Sequence, residues 1–185
     1  MAVLVVGVAM MTAAACDSGT ASNPSPGTTQ PGASTSSSPA PTTALPPADA
    51  AKQAALAAYQ GMWADYAAAS TTSDWQSPKL GQYATGIALS TISRGLYADH
   101  YNGLVSRGAP VLHPSVSSVD PPNNPTKVMI TDCGDSTHWL QYRADNGQLA
   151  DNTPGGRRLI NATVQKQADG SWKVTDFGVH DLGSC

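Results

Sequence analysis

The chain has 185 residues, only 12% of them charged, and a net charge of -3; this length fits one ordinary domain with appendages. So sparse and faintly acidic a balance lacks the clustered Lys and Arg that nucleic acid requires as a partner. All 13 acidic residues are Asp, which removes zinc hydrolases and base deaminases that work through a Glu, and the 4 His and 3 Cys show no metal-ligand spacing, so neither metal nor cofactor is expected.

The first element is apolar. Ala2 to Ala15 holds Val3-Leu4-Val5-Val6 and Met10-Met11 with no Lys or Arg before it. The run is too short to cross a hydrocarbon core of roughly 30 Å and suits the apolar region of an export signal. Thr12-Ala13-Ala14-Ala15 then leads into Cys16. Small residues followed by a thiol resemble the lipobox of bacterial lipoprotein signals, in which the Cys is acylated and becomes the new N-terminus. The expectation is therefore a signal peptide over 1–15, lipidation at Cys16, and a chain whose partner is the membrane, held by a lipid anchor at its extracytoplasmic face. Cleavage of an ordinary signal near Ala15, which would release a soluble protein, is the alternative.

Residues 16–48 are almost wholly Ser, Thr, Pro, Gly and Ala, with one charge, Asp17, and one large apolar side chain, Leu45. Such a segment buries too little surface to offset its ordering entropy and reads as a disordered linker spanning roughly 30 Å. The globular domain is placed at 49–185. Its first helix opens at Asp49 as a cap and runs through the Ala-rich stretch Ala50 to Ala69. Leu56, Tyr59, Trp63 and Tyr66 recur there at spacings of three and four, giving one apolar, aromatic face. Ser77-Pro78 reads as the entry to a second helix with Leu80, Tyr83 and Ile87 on one face. Gly86 breaks it. A third segment carries Leu89, Ile92, Leu96 and Tyr97 and closes at Gly103.

After Gly108 the texture becomes that of strands. Pro110 to Val119 reads as an edge strand because Pro114 lies within it. Lys127 to Cys133 and His138 to Arg143 follow, the latter ending at Asp145-Asn146-Gly147. Arg157 to Gln167 alternates Arg158, Ile160, Ala162 and Val164 against polar residues, the pattern of a half-buried strand. Asp169-Gly170 turns the chain into Trp172 to Val179. Helices first and a curled antiparallel sheet after define an α+β domain whose helices pack on one sheet face. With Cys16 acylated, Cys133 and Cys185 remain, and an oxidising compartment favours a disulfide between them over two free thiols.

Three segments carry a family resemblance: Asp132-Cys133-Gly134-Asp135-Ser136-Thr137-His138-Trp139, Asp169-Gly170-Ser171-Trp172-Lys173-Val174, and the ending Gly183-Ser184-Cys185. Over Asp49 to Cys185 the chain resembles envelope lipoproteins of high-GC Gram-positive bacteria. Their domain is similar to the nuclear transport factor 2-like fold, the cone shared with cystatin-like and ketosteroid-isomerase-like proteins. That fold hosts isomerases, dehydratases, transport factors and inert modules alike, so it fixes little chemistry. An enzyme on it would set an Asp or His base toward the cone with a Tyr or acid donor. Asp132, on the strand face of Val128 and Ile130, with His138, is the candidate pair. Asp135, Tyr142, His180 and Asp181 are further raw material. Against catalysis, Asp132 and Asp135 flank a turn, where Asp bonds local amides. Tyr59, Trp63, Tyr66 and Tyr97 are candidate pocket-lining residues, with core packing as the competing role. Arg157-Arg158 reads as a surface feature at a strand start. The functional expectation is a non-enzymatic binding or accessory module of the cell envelope, taking a small apolar ligand or another envelope protein. The alternative is a cone-fold isomerase, dehydratase or hydrolase using the Asp/His pair.

Overall fold

In a computed structural model of the chain, the described residues are 45–153 and 155–185. The expected signal segment 1–15, Cys16 and nearly all of the expected linker lie outside them.

Helix α1 (Pro47–Ser70) starts two residues before the sequence places it. Pro47 sits at the first helical position, where a missing N–H costs nothing and the fixed φ is already helical. Asp49 lies inside the first turn and pairs with Lys52 at 3.0 Å instead of capping. The buried positions Ala51, Ala55, Ala58, Tyr59, Met62 and Trp63 follow the helical period. So many alanines let the helix axis approach its partners closely. At Gly61 the approach is closer still: a Cβ there would stand 2.6 Å from the Tyr83 ring.

Ser77-Pro78 opens a turn whose carbonyls lead into the short α2 (Leu80–Tyr83). Gly86, with φ of 58°, starts α3 (Gly86–Tyr101) rather than merely ending a run. A left-handed φ suits Gly there, since it has no Cβ to clash. Gly103 follows the helix end with φ of 64°.

Strand β1 (Leu104–Arg107) pairs with β4 (Leu140–Arg143) in a two-stranded ladder. A four-stranded antiparallel sheet has the order β2 (Ser115–Asp120), β3 (Lys127–Asp135), β5 (Arg157–Lys166) and β6 (Trp172–Val179). The edge strand expected from Pro110 to Val119 shrinks to β2: Pro114 precedes it, and Val111 makes only an isolated bridge to Asp135. β4 starts at Leu140, leaving His138 and Trp139 in the turn before it. Register shifts beside Ser117 and Thr175 mark irregularities in β2 and β6, the kind of bulge that bends a sheet. Helices α1 and α3 pack on the inner face of the curve. Cys133 and Cys185 form a disulfide, with Cα atoms 5.8 Å apart. No helix among the described residues is long and apolar enough to cross a membrane.

Candidate functional site

The site follows from one ladder. On the inner face of β3 and β5 the register pairs Val128 with Val164, Ile130 with Ala162, Asp132 with Ile160, and Gly134 with Arg158. The first two rungs are dry core, fully buried under α1. The third carries a carboxyl group. The fourth offers no side chain on β3 and a cation on β5. Space therefore opens where the aliphatic ladder ends.

At the third rung Asp132 is 1% exposed. The Tyr59 hydroxyl donates to its Oδ2 at 2.9 Å, and the backbone N–H of His113 donates to its Oδ1 at 2.6 Å. A buried polar group is tolerable only when hydrogen-bonded, and both Asp132 oxygens have a partner. Burial, and then the negative charge of Asp132, push the Tyr59 phenol far above its ordinary range. The Trp63 indole N–H lies near enough to Tyr59 to oppose that shift slightly, yet meets no acceptor in hydrogen-bonding geometry among the described residues.

Beyond Asp132 lies a cavity of about 340 Å³ between α1, α3 and strands β3, β5 and β6. Trp63, Tyr66, Ile92, Trp139, Ile160 and Phe177 are the aromatic and larger aliphatic side chains of its wall. The aromatic rings brace one another edge-on. Trp63 meets Phe177 at 5.6 Å and Trp139 at 6.2 Å between centroids, and Tyr66 meets Trp139 at 5.1 Å. Trp139 Nε1 also donates to Ser70 Oγ at 3.3 Å. Gly95 on α3 and Gly134 on β3 keep the space clear: a Cβ at Gly134 would stand 2.7 Å from Ile160 Cδ1. Thr91, Ser136 and Arg158 supply the polar rim.

Tyr66 and Trp139 also face a smaller, more polar cavity of about 240 Å³ that includes Asp99, Gln141 and Asp151. Burial raises the Asp99 carboxyl, opposed by the Gln141 amide donating at 2.9 Å. Burial and the Asp99 charge together push the Tyr66 phenol up to about 12.

These raised phenols set an alkaline limit. Below about pH 10, tyrosine is neutral folded or unfolded. Above it, the unfolded chain loses protons that native Tyr59 and Tyr66 retain, so stability is full below that pH and falls as pH rises. The slope is up to about 1.4 kcal/mol per pH unit per tyrosine. Urea midpoints from about pH 9 to about pH 11 should drop steeply, and Tyr59→Phe should flatten the decline. A midpoint flat across that range would contradict it.

The structure separates the residues singled out from sequence. Asp132 faces inward, but Tyr59 and His113 occupy it, and it does not line the cavity. His138 is exposed in the turn before β4, and no hydrogen bond joins it to Asp132 among the described residues. Trp63 and Tyr66 line the cavity. Tyr59 is fully buried and holds Asp132 instead. Tyr97 is 51% exposed, packed edge-on against Trp75 on the outer side of α3. Arg158, read as a surface feature, lines the cavity because it shares the inner face with Ile160 and Ala162. The helical spacing of Ile92 and the alternation of Phe177 look the same for core and cavity, and Trp139 sits in the turn before β4, where neither pattern applies. No group of three or more metal-binding side chains occurs among the described residues.

Helices closing a curled antiparallel sheet around an aromatic cavity define an α+β cone domain. Its element order is the one that the nuclear transport factor 2-like resemblance implies. The chain is similar to several solved structures. A ketosteroid isomerase-like protein from Erwinia carotovora atroseptica aligns at 11% identity over 68% of this chain and 92% of its own, with TM-score 0.39. ActVI-ORFA from Streptomyces coelicolor aligns at 16% identity over 71% and 96%, with TM-score 0.39. The intermembrane space region of the chloroplast protein ARC6 aligns at 17% identity over 71% and 95%, with TM-score 0.45. No protein-family model matches this chain, and no curated protein does.

Proposed function

We propose that the domain is a non-enzymatic binding module of the cell envelope that takes a small, mainly apolar molecule into the cavity between α1, α3 and the sheet. The observation that carries this reading is the wall of Trp63, Tyr66, Ile92, Trp139, Ile160 and Phe177 around about 340 Å³. That volume falls at the lower end of small-molecule pockets, which combine apolar walls with a few placed polar groups. Asp132, the one fully buried carboxyl group among the described residues, is held by Tyr59 and His113, which favours a structural role over proton transfer. In this reading Cys16 carries the lipid and the linker that follows it, expected to end at residue 48, holds the domain off the membrane. Incorporation of labelled palmitate that is lost in Cys16→Ser would support the anchor, and its absence in wild type would remove it.

The cavity is tested with N-phenyl-1-naphthylamine, a neutral apolar dye that brightens out of water. Wild type should bind it saturably at one site. Gly95→Leu should fill the space and weaken binding about tenfold or more. Its Cβ would stand 3.3 Å from the Tyr66 hydroxyl, a displacement of tenths of an ångström. Leucine also suits a helix better than glycine by about 0.8 kcal/mol, so a folded variant is expected. Unsaturable binding, or equal affinity in the variant, would remove the cavity from the account.

A further inference from the structure

The fourth rung of the inner ladder shows which molecule fits. Resting on the cavity reading above, we infer that the ligand is an apolar molecule ending in a carboxylate, with the acid held by Arg158 and Ser136. Arg158 is half-buried on the core-facing side of β5, where its neighbours on that face are Ile160 and Ala162. Its guanidinium offers five N–H donors in a fixed fork. Nε donates to the Gly155 carbonyl at 3.4 Å and Nη1 to the His180 carbonyl at 3.1 Å. Nη2 has no acceptor among the described residues. No carboxylate among them, the C-terminal one included, lies within ion-pair distance of Arg158. Two neutral carbonyls aim the group without neutralising it.

A cation on the wall of an apolar cavity is costly unless an anion meets it. Ser136 lines the same cavity, and its side chain packs against Gly155, whose carbonyl holds Arg158. Its hydroxyl makes no hydrogen bond among the described residues. A carboxylate between the Arg158 fork and the Ser136 hydroxyl would use donors that the protein leaves unspent, while its apolar body lies against Ile92, Trp139 and Phe177. Arg–carboxylate geometry is bidentate and short.

The test compares decanoate with decan-1-ol, the same chain with and without the charge, by titration calorimetry on the full chain with its disulfide intact. Wild type should prefer decanoate by about tenfold or more. Arg158→Gln should abolish the preference, chiefly by weakening decanoate, and Arg158→Lys should restore part of it. Saturable binding of the neutral dye by Arg158→Gln shows that the variant keeps its cavity. Equal binding of acid and alcohol by wild type, or a preference surviving in Arg158→Gln, would overturn the inference and leave the cavity reading standing. Failure of wild type to bind either compound, or the neutral dye, would overturn both.

Discussion

Replacing Asp132 by alanine is expected to lower the stability of the domain by about 3–5 kcal/mol. Two donors aim at this side chain, the Tyr59 hydroxyl and the His113 backbone N–H. Each donor stranded in the interior costs about 1–3 kcal/mol, and the vacated volume adds a cavity cost. Tyr59→Phe should cost less, about 1.5–3 kcal/mol, because the hydrogen bond from His113 persists. The double variant should cost less than the two losses combined, since the second substitution removes a group that the first has already stranded. Denaturant midpoints provide the readout. A loss under about 1 kcal/mol in Asp132→Ala would mean that the Tyr59–Asp132 pair does not hold α1 to β3.

Breaking the disulfide should have an effect of similar size. Cys133 and Cys185 are 52 residues apart, and closing such a loop is worth about 4 kcal/mol in the chain-entropy model. The loss has a specific local form. The last residues lie along β5, with the Gly183 N–H donating to the Arg157 carbonyl at 2.8 Å and the Leu159 N–H donating to Ser184 Oγ at 2.8 Å. His180, which holds the Arg158 guanidinium, belongs to the same segment. Reduction, or Cys185→Ser, should lower the denaturant midpoint and speed amide exchange at Leu159 and Gly183. It should also release one of the two restraints on Arg158. A midpoint unmoved by reductant, with exchange unchanged, would show that the tail is held by its hydrogen bonds alone.

The α+β order, the strand positions of β3, β5 and β6, and the paired cysteines were legible because each rests on local pattern: two-residue alternation, Asp-Gly turns and a thiol count. β1 was not. Leu104–Arg107 is four residues long and gains its strand character from β4, more than thirty residues later in the chain. Helix α1 starts earlier than read because proline is a good first helical residue, whereas its Pro-Pro sequence resembled more linker. Asp132 was placed on the inner face by its alternation with Val128 and Ile130. Its partners were hidden, since Tyr59 is 73 residues away and the His113 amide belongs to a loop. Tyr97 shared the spacing of Leu89 and Leu96 but lies at the edge of the apolar stripe, where one helical step turns a ring from core to solvent. The same alternation that buried Ile160 and Ala162 already placed Arg158 inward. Its charge argued the other way, and only the packing of β3 and β5 shows that the cation lines a cavity.

The central claim is that an apolar molecule enters among Trp63, Tyr66 and Trp139. The 4 tryptophans give an internal comparison, because Trp63 and Trp139 line the cavity while Trp75 and Trp172 do not. Nitrogen-edited NMR of the indole N–H groups during titration with decan-1-ol reads all of them at once. The account predicts saturable shifts of the Trp63 and Trp139 signals, with Trp75 and Trp172 still. Shifts confined to Trp75 or Trp172, or a titration that moves none of the signals, would contradict it.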